Sequence, residues 1–208
     1  MNTLVLLNGS LALAAGVVLY VLARGLYVLA KNRRNMEWVK EVLQFVMVIY
    51  LLLVVSVTLF PLALWIDPDL KALKYSVNLV PIISIIRDIS QIGIAYGGDS
   101  IFMVKLILRN VGGNVLMFVP LGILAPMLWP EFRKLKSILL LGVLMSIGIE
   151  FLQFFELLVS SEMGRTVDID DVICNTAGTI IGYVMYKLIT ALANKYRIKS
   201  LQQMFIGG

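Results

Sequence analysis

Glu150 lies inside an apolar run, with Ser146 four residues before it and Gln153 three after. On a helix that spacing puts all three on one face. A charge at membrane depth costs about 2.5–3.5 kcal/mol on insertion scales, so it tends to persist where it does something. Glu150 can serve as a proton donor or acceptor, or as a ligand for a polar head group. It can equally be a structural carboxylate satisfied by Arg165, Arg109 or Asn114. Glu156, off that face, reads as a solvated charge near the helix end.

The loop that follows carries Arg165, Asp168, Asp170 and Asp171. Three readings stay open. The acids can cap the next helix, where the backbone dipole favours them, and for Asp170 this alone suffices. With Glu150 they offer hard oxygens to a divalent cation, although the spacing matches no calcium loop. Arg165 can clamp a phosphate or carboxylate through two hydrogen bonds. Asp171, Asn175, Gly178 and Gly182 share one face of the following helix, and the two glycines suit close helix packing. Asn78, Arg109, Asn110 and Asn114 add polar groups earlier in the chain.

Composition narrows the chemistry. There is no histidine, which removes the commonest general base and metal ligand. One cysteine, Cys174, excludes an internal disulfide and a cysteine-based metal site. No organic cofactor is implied. The net charge of +5 comes without a basic stripe interleaved with aromatics, so nucleic acid is not an expected partner. Hydrophobic residues make up 60% of the 208, against about 45–50% in soluble domains, and they come in long runs.

Those runs are the elements that must position the polar groups. About 20 apolar residues cross a bilayer as a helix. Five stretches qualify: Leu4 to Ala30, Val42 to Ile66, Phe102 to Trp129, Ile138 to Val159 and Val172 to Ala193. The expected fold is an all-α integral membrane protein, one domain over 1–208, a bundle of about five transmembrane helices. No basic residue precedes Leu4, so the first run reads as a retained helix. The run from Val77 to Ile86 is too short to span and contains Pro81, so it reads as an interfacial or re-entrant segment. Pro120 should kink the third helix, and Gly112–Gly113 should loosen or closely pack it.

Lys and Arg crowd three regions: Arg24 to Lys40, Arg133 to Lys136, and Lys195 to Lys199. The positive-inside rule makes these cytoplasmic, with the N-terminus outside and the C-terminus inside. Glu150 and Gln153, Asp171 and Asn175, and Arg109 and Asn114 then come from three helices to one extracytoplasmic pocket.

The order of these motifs resembles the VanZ-like family. That family shows Asn-Leu-Val/Ile-Pro, matched by Asn78 to Pro81, and Asn-x-x-x-Phe-x-Pro-Leu-Gly, matched by Asn114, Phe118, Pro120, Leu121 and Gly122. Its Ser-x-x-x-Glu-x-x-Gln helix is matched by Ser146, Glu150 and Gln153. Its last element is matched by Arg165, Asp168, Asp171, Asn175 and Gly178. The resemblance runs from about 78 to 182, with the two N-terminal spans over 1–66 less covered. It implies a multi-pass protein of a bacterial cytoplasmic membrane, from a family first tied to teicoplanin resistance.

On that resemblance the expected partner is a membrane lipid or lipid-linked envelope precursor, recognised or modified in the pocket. Glu150 would act as acid or base and Arg165 would hold an anionic group. Asp168 and Asp171 would position Arg165 or a cation. Asn114, Ser146, Gln153 and Asn175, with Asn78 and Arg109, would bind the ligand. The outcome would be lower sensitivity to lipoglycopeptides. Two rivals are a non-enzymatic lipid-binding or membrane-organising protein and an ion or solute transporter. Against the transporter, the polar residues gather on one side of the bilayer.

Overall fold

The computed structural model describes residues 5–31, 38–64, 76–159, 166–198 and 205. A short strand, β1 (Val5–Leu7), precedes two long helices, α1 (Gly9–Lys31) and α2 (Trp38–Leu59). Strand β2 (Leu62–Leu64) returns to pair antiparallel with β1, Leu6 opposite Ala63. Strand β3 (Val77–Asn78) leads into a short helix, α3 (Ile83–Ser90). The remaining long helices are α4 (Ser100–Leu128), α5 (Leu135–Val159) and α6 (Ile169–Lys195), with strand β4 (Val167–Asp168) just before α6. Among the described residues, five helices are long and apolar enough to cross a membrane, and the chain is an all-α bundle.

The spans fall where the apolar runs are, with different ends. The first helix starts at Gly9, not Leu4, because the Asn8 side chain accepts the Ser10 N–H and residues 5–7 are paired in the β1–β2 ribbon. The second stops at Leu59, not Ile66. Phe60 precedes Pro61, and the residue before a proline is pushed out of the helical region. The last helix begins three residues earlier than expected, at Ile169, because Asp168 caps it and accepts the Asp170 N–H at 2.9 Å.

Helix α4 is continuous from Ser100 but passes through a π-helical turn at Leu108–Gly112. Gly112 and Gly113 have open space around them, so they do not mark a close contact. The helix also runs on through Pro120 and Pro126. The close contact is lower down. A methyl group at Gly178 would overlap the Val115 carbonyl, one at Gly182 the Val119 carbonyl, and one at Gly122 the Thr179 carbonyl. Helices α4 and α6 therefore touch backbone to backbone.

Phe118, Leu121 and Ala125 of α4, Ile138 of α5, Tyr183 and Tyr186 of α6, and Met47 and Val54 of α2 form the core. Helix α1 stands outside it, leaning on α2 through Gly9 and Gly16. The polar residues of α5 and α6 are thus held on the best-packed part of the bundle.

Candidate functional site

Glu150 is 7% exposed and accepts the backbone N–H of Asp168 at 2.9 Å. This ties the middle of α5 to the N-cap of α6. One turn from Glu150, Ser146 is fully buried, and its hydroxyl accepts the Asn175 amide at 2.8 Å. One turn before Asn175, Asp171 accepts the Asn114 amide from α4. Three helices thus bring Asn114, Ser146, Glu150, Asp171 and Asn175 to one seam, as their helical phase predicts.

Asp168 is engaged from above. Its carboxylate accepts the Asn78 amide at 2.8 Å and the Ser84 hydroxyl at 2.6 Å. Strands β3 and β4 pair in parallel, Asn78 opposite Asp168, so backbone and side chain make the same connection. Asn78 accepts the Val80 N–H through its own oxygen, which shapes the turn at Pro81.

Asp170 does more than the capping expected of it. It is 3% exposed and accepts the N–H of Ile82, the N–H of Ile85 and a share of the single Ser84 hydroxyl proton, which lies between it and Asp168. Helix α3 has no cap of its own, so Asp170 caps it from another element. Ile82 sits at φ 67°, a left-handed conformation unusual for a β-branched residue, and its N–H is held by Asp170. The cap of α6 is Asp168 instead, and Asp170 faces α3.

Ser84 is the residue that sequence reasoning misses, and Asp170 is the one it gives too small a role. The signal for Ser84 is one hydroxyl inside an apolar run beside a proline. Buried polar groups are nearly always hydrogen-bonded, so that serine marks where α3 meets something polar.

Other expectations land elsewhere. Gln153 donates to the Thr58 carbonyl of α2 at 3.0 Å and so ties α5 to α2, not to the acids. Arg109 is exposed on the π-helical turn and pairs with no acid among the described residues, so it stands outside the seam. Glu156 is a correction: at 6% exposure it is buried, not solvated, because the end of α5 still packs inside the bundle, where Leu157 beside it is buried too. Arg165 lies outside the described residues.

A groove of about 450 Å³ opens between α1 and α2, beside the Arg24–Glu41 ion pair. Its Arg24 Nε donates to Glu41 at 2.8 Å, so both charges are already paired. It shares no residue with the seam.

The donors in the seam are amides, a hydroxyl and backbone N–H groups, and the acceptors are four carboxylates. Among the described residues no ion pair reaches Glu150, Asp168, Asp170 or Asp171. Such a site can exchange protons, bind groups that donate hydrogen bonds, or hold a cation. Set beside known proteins, residues 47–190 match the family model described as VanZ/LLP1. No curated protein and no solved structure matches the chain.

Proposed function

The chain belongs to the VanZ/LLP1 family, the matched region running from α2 nearly to the end of α6, and from that premise we propose a role in the bacterial cell envelope. The protein is a multi-pass membrane protein whose seam binds or modifies a lipid or lipid-linked envelope precursor. Lower sensitivity to lipoglycopeptides such as teicoplanin follows from that action. The N-terminus is outside and the C-terminus cytoplasmic, which turns the acidic end of α6 toward the cell wall.

One observation supports this best. Glu150 and Asp171, on facing helices, each keep one oxygen without a donor among the described residues, at the end of the bundle where α3 docks. Two carboxylates withdrawn from water beside that segment suit a polar head group entering from the leaflet. Glu150 is the acid or base, Asp171 the neighbouring acceptor, and Arg165 the anion clamp.

The test is expression in a glycopeptide-susceptible bacterium. The chain should raise tolerance to teicoplanin, and Glu150→Gln should remove the effect at equal protein level. Full tolerance with Glu150→Gln would end the chemical role.

A second reading draws on Asp168 and Asp170, whose oxygens are engaged by Asn78, Ser84 and the amides of α3. They organise the protein itself, which suits a binder that converts nothing. Incubating purified protein with a lipid extract separates the two, since a new lipid mass means catalysis.

A further inference from the structure

We propose that the α5–α6 seam binds a hard divalent cation, ligated by Glu150, Asp171 and the amide oxygen of Asn175. The site lies below the Asp168–Asp170 pair that holds α3; of the acids that the sequence offers to a cation it keeps Glu150 and Asp171, and Asn175 takes the place of Asp168 and Asp170.

The starting observation is Asn175, which is 1% exposed. Its nitrogen donates to Ser146, and its oxygen is buried with no donor. A buried acceptor left unsatisfied costs about 1–3 kcal/mol. Asn175 is one turn from Asp171 and Ser146 one turn from Glu150, so this bonded pair forms a floor beneath the two carboxylates. One oxygen of Glu150 takes the Asp168 N–H, and one of Asp171 takes the Asn114 amide. The remaining oxygens of both meet no donor and no cation among the described residues. Floor and walls therefore present acceptors: two carboxylate oxygens and an amide oxygen.

An anion placed there meets repulsion, and a neutral acceptor gains nothing. A cation meets ligands and supplies the charge that carboxylates at membrane depth lack. Carboxylate and amide oxygens are hard, which suits Ca²⁺ or Mg²⁺, and the chain has no histidine to favour a softer metal. Among the described residues, no three acidic side chains are grouped to share a metal ion. The ion would thus take two carboxylates and the amide from the protein, and complete its shell with water or a ligand's oxygens. A phosphate oxygen could fill such a position, so the cation would let an acidic seam accept an anionic head group. The inference goes beyond the proposed function, and its failure would leave that reading standing.

The experiment uses the full chain in detergent, stripped with a chelator. Bound metal is counted by inductively coupled plasma mass spectrometry after dialysis against Ca²⁺ or Mg²⁺, and melting is followed through a titration of each, with K⁺ as the ionic-strength control. One ion per chain and a melting point that rises with the divalent metal are expected. Glu150→Gln and Asp171→Asn should each weaken binding by roughly 10–100-fold. Asn175→Asp keeps an oxygen ligand and adds charge, so its melting should depend on the metal more steeply than the parent's. Protein that stays metal-free at millimolar Ca²⁺ and Mg²⁺ would overturn the proposal. So would binding that both carboxylate variants leave unchanged. If those variants fail to fold, an Asn175→Asp melting point indifferent to either metal would overturn it alone.

Discussion

The Glu150 side chain and the Asp168 backbone are joined by a 2.9 Å hydrogen bond that makes a residue of α5 part of the start of α6. Residues 150 and 168 flank the short connection between these helices. Whatever alters Glu150 is therefore felt at the cap of α6, and through Asp168 at α3.

Glu150→Gln retains an oxygen that can accept the Asp168 N–H, so the melting point in detergent should stay close to the parent's while glycopeptide tolerance is lost. Glu150→Ala leaves that N–H without its partner and should destabilise by about 1–3 kcal/mol. Equal losses of stability in the two variants would show that the carboxylate's charge, not its acceptor oxygen, holds the helices.

Asp170→Ala should free α3. The amides of Ile82 and Ile85 lose their acceptor, and a hydrogen bond to a charged group is worth about 1.5–3 kcal/mol. Hydrogen exchange across residues 80–90 should speed up by roughly 10–100-fold, with α4 and α6 unchanged below their first turns. Ser84→Ala should produce a smaller change in the same peptides.

Ile82→Gly should be neutral or stabilising despite deleting a large side chain. The left-handed conformation costs an L-residue roughly 1–2 kcal/mol and glycine almost nothing. Ile82 is half exposed, so little burial is lost. A melting point lowered by many degrees would mean that its side chain, not its backbone, is what the turn needs.

The glycines should separate into two classes. Gly178→Ala and Gly182→Ala drive a methyl into a carbonyl of α4 and should cost roughly 1–3 kcal/mol or more. Gly112→Ala and Gly113→Ala meet open space, and helix propensity favours alanine by about 1 kcal/mol, so neither should destabilise. Thermal unfolding of the four variants in one detergent decides this.

The long helices were legible because length and apolarity alone define a span, and no packing detail is needed to find them. Their ends were not, since Asn8, Pro61 and Asp168 set them through local bonds that a hydropathy run does not register. The seam was legible in part. Helical phase placed Glu150, Ser146, Asp171 and Asn175 together because both helices are regular there. It misjudged Gln153, whose partner Thr58 is on a helix that shares no motif with it. It also gave Asp170 too small a role. That role depends on α3 arriving with bare amides, and the docking joins residues 88 apart in sequence.

The glycine contact between α4 and α6 has a mechanical consequence. Two helices whose main chains already touch have no slack between them, so they move as a single strut. Any rearrangement at Glu150 would therefore fall to elements outside this pair, with the strut as the fixed frame they move against.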